Sequence, residues 1–382
     1  MKTFSKLTQG VIAMSALASA SALAGTFVYV SNADDGEIGA YGMQADGALA
    51  PLARAQAAKV VMPMAVSPNR RLLYAVSRSK PFTVHVYSID SGSGALKPLS
   101  SAPLAESFPY ISLDRNGRFL FGASYGAGLV SVNAVGGDGR VLAEPQVITV
   151  GRNAHSILVD ASNRYVYVPN LGTDQIFQFV FDEKTGRLTS NTPAVVQMKS
   201  GTGPRHFIFS PDNKFVYLLS ELVGTVTTLS LDGKTGLLTE VSSASAVPPD
   251  AKLVPGAPRG AIGPAGSNTP PPRNTENDIW AADLHLAPGG KFLYASERTT
   301  STLAAFSVDA ASGKLSYLSS TPTEKQPRGF AIDPKGKYLV ASGEKSETIS
   351  VYAIDQSSGA LKLLKQYPTG KGSNWVEIVS FD

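Results

Sequence analysis

Apolar positions along this chain come in short bursts. Phe27-Val-Tyr-Val30, Met64-Ala-Val66, Ile157-Leu-Val159, Phe207-Ile-Phe209 and Trp375-Val-Glu-Ile-Val-Ser-Phe381 are each flanked by Gly, Pro, Asn, Asp or Ser. Bursts this short, bounded by turn formers and rich in β-branched and aromatic residues, predict strands. Beyond the first two dozen residues no window sustains a 3.6-residue period, so helix content is expected to be negligible.

Two patterns recur around these bursts. A polar turn leads into a strand at Ser67-Pro-Asn-Arg-Arg-Leu-Leu-Tyr74, and again in the stretches that begin at Asp114, Asp160, Ser210, Ala287 and Asp333. Successive starts lie 47, 46, 50, 77 and 46 residues apart. A glycine turn precedes Leu or Val at Gly47, Gly94, Gly139, Gly186, Gly236, Gly313 and Gly359, which makes seven glycine turns against six polar turns. The last apolar run has no hairpin after it, and the missing partner stands at the other end, in Phe27 to Asn32. One unit is therefore split between the termini. Units of roughly 45 residues with four short strands each are propeller blades. The expected fold is all-β: a seven-bladed β-propeller in which the N- and C-terminal strands pair and remove the open edge.

The 77-residue spacing hides an insertion at about 247–277, with eight prolines between Pro248 and Pro272. It cannot be strand and reads as a surface loop or as a flap over one face of the ring. Residues 1–24 have two lysines, an apolar run from Leu7 to Leu17 and a small-residue Ala22-Leu23-Ala24 end, which is the layout of a cleaved secretory signal. The apolar run falls short of the ~20 residues a membrane span needs. The expected mature chain, 25–382, is thus one propeller domain without a membrane span, periplasmic or secreted.

Composition narrows the chemistry. With no Cys, thiol redox catalysis is excluded, and four His leave few soft metal ligands. The net charge of +4 is weak, with no basic run, so nucleic acid is not an expected partner. No tight carboxylate cluster suggests a divalent ion, and neither metal nor other cofactor is expected. The sequence sets no oligomeric state.

Writing the same blade position seven times locates candidate chemistry. At the start of the inner strand the blades carry Met62, Pro109, His155, Arg205, Ala282, Arg328 and Trp375, with His206 and Asp283 one step on. Just past the end of the next strand stand Arg78, Tyr125, Leu171, Glu221, Arg298, Glu344 and Ala33. In an antiparallel pair the end of one strand lies near the start of its neighbour, so both rings should open on one mouth of the channel. Polar residues at strand ends are usually solvated loop residues, but four arginines, two glutamates and a histidine at equivalent positions suggest a charged funnel. His285 fits either core or channel. His85, mid-strand, reads as a satisfied sheet histidine. Gly122-Ala-Ser-Tyr-Gly126 matches a nucleophile elbow but has no following helix, and Ser156 beside His155 makes a poor dyad because adjacent strand residues point to opposite faces.

The segments Gly203-Pro-Arg-His206, Ser220-Glu-Leu222, Trp280-Ala-Ala-Asp-Leu-His285, Ser296-Glu-Arg-Thr299, Gln326-Pro-Arg-Gly-Phe330 and Trp375-Val376 resemble the seven-bladed lactonase family. That family includes propeller-type 6-phosphogluconolactonase and fungal carboxymuconate cycloisomerase. The resemblance implies a lactonase with His155, Arg205, Glu221 and Arg298 as catalytic residues. Arg78, Tyr125, His206, Asp283, His285, Arg328 and Trp375 are then expected to hold the substrate. His155 or Glu221 would serve as base, and Arg205 and Arg298 would stabilise the oxyanion. The signal-like leader favours an unphosphorylated sugar lactone, of the glucono-1,5-lactone type, over a cytosolic phosphosugar. The alternatives are 6-phosphogluconolactonase activity, muconate-type cycloisomerisation, and a non-catalytic exported propeller that binds proteins or cell-wall material. The blades differ most where they meet the channel, which favours a single asymmetric site over a repeated binding surface.

Overall fold

The computed structural model describes residues 25–259 and 274–381; the expected leader and part of the proline-rich insertion lie outside them. Strands of the described residues form seven antiparallel sheets, with no helix. Numbered as blades in chain order, blade 1 comprises Val61–Val66, Leu72–Ser77, Thr83–Ile89 and Leu96–Pro103. Blades 2 to 6 begin with the inner strands Tyr110–Leu113, Leu158–Val159, Pro204–Phe209, Ala281–Leu286 and Phe330–Ile332. Around the axis the inner strands of most successive blades touch, and blade 3 meets the inner strand of blade 4 through its second strand, Tyr165–Asn170. In blade 7, C-terminal Ser373–Ser380 pairs antiparallel with N-terminal Thr26–Asn32, from Thr26 opposite Ser380 to Asn32 opposite Ser373. The expected seven-bladed ring with a split closing blade is what the structure shows.

The hydrophobic core is divided the same way. Seven clusters of buried residues each fill one gap between neighbouring blades; Tyr165, Tyr167 and Ile176 of blade 3, for example, pack on Phe207, Val216, Leu218 and Leu229 of blade 4. Every inner sheet face is thus buried by the next blade, and stability rests on an unbroken ring.

Both sequence patterns have a local physical cause. In the polar turns, Asp114 Oδ1 accepts from the backbone N–H groups of Arg118 and Phe119, and Asp160 Oδ1 does the same for Arg164 and Tyr165, closing the turn into the second strand. Each glycine of the second pattern has positive φ and presses on the preceding blade: a Cβ on Gly236 would lie 2.1 Å from the Tyr165 ring. The carbonyls of five of these glycines accept a hydroxyl from that blade: Tyr29 to Gly94, Tyr74 to Gly139, Tyr167 to Gly236 and Tyr294 to Gly359 at 2.8–2.9 Å, and Thr228 to Gly313 at 3.0 Å. The two repeats are two halves of one inter-blade lock.

Candidate active site

The inner strands do not run regularly to the mouth of the channel. In blade 1 the pairing skips Met62 and Pro63, in blade 4 Arg205, in blade 5 Ala282 and Asp283, and in blade 7 Asn374. Such a bulge adds a residue to one strand and re-aims its side chain. This is why sequence neighbours Arg205 and His206 both reach blade 5, Arg205 bonding to the Ala282 carbonyl and His206 to the Asp283 carboxylate. A regular strand would send them to opposite faces.

The two rings of candidate residues meet as expected from antiparallel pairing. Glu221 is the hub. Its Oε2 accepts from Arg205 Nε at 2.7 Å and lies 3.1 Å from Arg298 Nη2 and 3.9 Å from His155 Nε2. Arg298 also donates to the carbonyls of Trp280 and Ala281 at 3.1 and 3.2 Å, with its guanidinium 3.7 Å above the Trp280 ring. Arg328 Nε is 3.8 Å from Glu344, and Arg78 reaches Ser107 Oγ at 3.0 Å. Tyr125 stands edge-on to the His155 ring at 5.5 Å. Ser156 turns away from His155 and donates to the Arg205 carbonyl at 2.6 Å, a blade-to-blade strut.

The quartet is far more enclosed than an open funnel would make it. Arg205 is 0% exposed, Arg298 3%, Glu221 4% and His155 5%. Burial, with Arg328 and Arg298 next, lowers the Arg205 guanidinium to about 9, and burial followed by Arg205 holds His155 well below its ordinary value. His155 is therefore a neutral imidazole. Burial, with Glu221 next, pushes the Tyr125 hydroxyl up to about 12. Several buried polar atoms here have no hydrogen-bond partner, among them Arg205 Nη2, His155 Nδ1 and His206 Nε2. Groups left unsatisfied at this depth are costly.

A second group adjoins the first, with the His206 ring 5.1 Å from that of His155. Asp283 bridges two histidines, with Oδ1 2.8 Å from His206 Nδ1 and Oδ2 3.1 Å from His285 Nε2. Although burial opposes it, the two histidines hold the Asp283 carboxyl below the usual range. His206, Asp283, His285 and Trp375 line a cavity of about 220 Å³ together with Tyr110 and Glu377. Burial lifts Glu377 to about 7, and Trp375 Nε1 donates to it at 2.9 Å. His285 is thus a channel residue. His85, by contrast, is satisfied within its sheet, 3.0 Å from Ser77 Oγ.

Tyr110, Trp280, Glu377 and Arg259 belong to this centre and were not singled out from the sequence. Glu377 follows Trp375 by two residues, so strand alternation points it to the same face. Tyr110 is one step past a ring position, as His206 and Asp283 are. Arg259 lies in the insertion, where comparison of blades offers no equivalent.

A closed seven-bladed ring whose axis holds a buried Arg–Glu–Arg cluster beside a neutral histidine defines an enzyme-like propeller with one asymmetric polar site. The sequence profile of the family "Lactonase, 7-bladed beta-propeller" matches residues 21–378, and the chain belongs to that family. It is 38% identical to the 6-phosphogluconolactonase of Serratia proteamaculans over 306 residues, 80% of this chain and 84% of the relative. Identity to the corresponding protein of Erwinia tasmaniensis is 36% over the same shares of both chains. Among solved structures, the periplasmic gluconolactonase of Pseudomonas aeruginosa superposes with a TM-score of 0.80 at 27% identity, covering 94% of this chain and 100% of that one. The protein is a lactonase, a hydrolase that opens cyclic esters.

Proposed function

We propose that the substrate is an unphosphorylated aldonolactone, glucono-1,5-lactone, opened to the acid outside the cytoplasm. The signal-like stretch Met1 to Ala24 supports this, since an exported enzyme would not meet a phosphosugar made in the cytosol. The likeness to a periplasmic gluconolactonase over nearly the whole chain supports it as well.

The chemistry is carried by one observation: the Glu221 carboxylate is taken up by two guanidiniums, while the imidazole beside it keeps a free ring nitrogen. Glu221 thereby anchors the cations, and the base is His155, neutral at working pH. His155 Nδ1 takes a proton from water as the water oxygen attacks the lactone carbonyl carbon. The carbonyl electrons move onto oxygen, where the free Arg205 Nη2 and the Arg298 guanidinium stabilise the charge. Collapse breaks the bond to the ring oxygen, which leaves as a hydroxyl with the proton returned from His155. The carboxylic acid then ionises. Tyr125, Arg78 and Arg328 hold the sugar hydroxyls.

Glucono-1,5-lactone and its 6-phosphate, assayed in parallel and corrected for spontaneous opening, separate the readings. The unphosphorylated lactone is expected to give the higher kcat/KM. Preference for the phosphate, or no acceleration of either, contradicts the assignment.

A further inference from the structure

Among the described residues of the proline-rich insertion, Arg259 reaches the site. Its described first limb is fastened to the ring beside the catalytic cluster: Gly256 N–H donates to the carbonyl of Leu222, the residue after Glu221, at 2.8 Å, and Ile279 N–H donates to the Val254 carbonyl at 2.8 Å. A Cβ on Gly256 would lie 2.4 Å from the Ile279 carbonyl oxygen, so the chain passes here with no room to spare. Three residues on, the Arg259 guanidinium lies 3.8 Å from the centre of the Trp280 ring. The Arg298 guanidinium lies 3.7 Å from the same centre. Two guanidiniums cannot occupy one face at those distances, so Trp280 is held between them.

Like charges so placed repel: burial first, and well after it Arg328 and then Arg259, lower the Arg298 guanidinium, against Glu221 and Glu344. The arrangement is held in spite of this. Arg259 Nη2 donates to the Thr275 carbonyl at 3.2 Å and lies 3.6 Å from Asp278, while the Trp280 backbone N–H donates to Glu297 Oε1 at 2.7 Å. A passive surface loop would have no need to seat a cation against the ring that supports a catalytic cation.

We propose that Arg259 is a positioning residue: by clamping Trp280 from the face opposite Arg298, it fixes the guanidinium that Arg298 presents to the lactone. The insertion is then part of the catalytic apparatus, acting through Arg298 rather than on substrate. This rests on the lactone-opening role given to Arg298 above.

Arg259→Ala is expected to lower kcat about tenfold with KM little changed, since small misplacements of a catalytic group are costly. In an Arg298→Ala background the same substitution should cost less than twofold, because the route through which it acts is gone. Arg259→Lys, which keeps charge but loses the planar stack, should behave as the alanine variant does. An arm independent of turnover is the Arg298 Nε–H resonance in ¹H–¹⁵N spectra, assigned by its loss in Arg298→Lys. Its solvent exchange should accelerate at least about tenfold in Arg259→Ala. Unchanged exchange at Arg298, or kcat losses that multiply in the double variant, overturns the proposal. If the wild-type protein opens no lactone offered, the functional reading fails and the resonance alone decides the positioning role.

Discussion

Replacing Arg205 with alanine should reduce kcat by about 10²- to 10³-fold, the range seen when one oxyanion donor is removed. Arg205 has two tasks that this substitution ends together. Its Nε shares the Glu221 carboxylate with Arg298, and its Nη2 is a buried donor with no partner in the free protein. Without it, Arg298 alone neutralises Glu221, and the carbonyl oxygen of the substrate loses a fixed cation. Stability will fall too, because a large, fully buried side chain is removed and the Ala282 carbonyl loses its donor. Arg205→Lys controls for this by keeping a cation of similar bulk without the planar fork. It should stay folded and still lose at least about tenfold in kcat, since a lysine cannot bond Glu221 and an oxyanion with one fixed geometry. A lysine variant with wild-type kcat would remove Arg205 from the chemistry.

The second large effect concerns the ring itself. Removing residues 375–382 should abolish a single cooperative unfolding transition near the wild-type midpoint. The strand lost pairs with Thr26–Asn32 along its length, and it carries buried Val376 and Val379, at about 1.5–3 kcal/mol each for apolar burial alone. Its loss also exposes the edge of the N-terminal strand and opens two inter-blade gaps, those holding Val379 beside Tyr29 and Val376 beside Val28. Thermal unfolding of the truncated chain followed by circular dichroism gives the answer. A truncated protein that melts with wild-type cooperativity at the wild-type temperature would show that closure contributes little.

Local physics made the fold readable from sequence, and non-local physics hid part of the site. A glycine with positive φ or an aspartate accepting two backbone N–H groups leaves the same residue at the same place in every blade, so Gly47 to Gly359 and Asp114, Asp160 and Asp333 mark the repeat directly. The departures from that repeat brought out His155, Arg205, Glu221 and Arg298, which the structure places around one carboxylate. Bulges are not marked by any residue type here, so the convergence of Arg205 and His206 on one blade could not be read off strand alternation. The seclusion of the cluster was equally hidden, because Tyr125, Trp280 and Arg259 come together from three different parts of the chain. Arg259 has no counterpart in other blades, and only the packing of the insertion against Leu222 and Ile279 reveals where it goes.

In the proposed reaction a buried, neutral histidine flanked by fixed arginines opens the lactone. The groups facing His155 are Glu221, Arg205, His206, Arg328 and Tyr125, and the second imidazole, His206, is likewise lowered by burial and then by Arg205. A base whose value is depressed in the folded protein stays unprotonated, and active, as pH falls through the ordinary histidine range; activity is lost only when pH reaches the lowered value. The measurement is kcat/KM for glucono-1,5-lactone from pH 7.5 down to 5, over which spontaneous opening is subtracted and folding is monitored by circular dichroism. A profile with no tenfold-per-unit decline through pH 6.5 is the expected result, with any shallower step near 7 belonging to Glu377 in the adjoining cavity. A decline of tenfold per pH unit beginning near 6.5, on protein that remains folded, would show an ordinary exposed histidine at work and rule out buried His155 as the base.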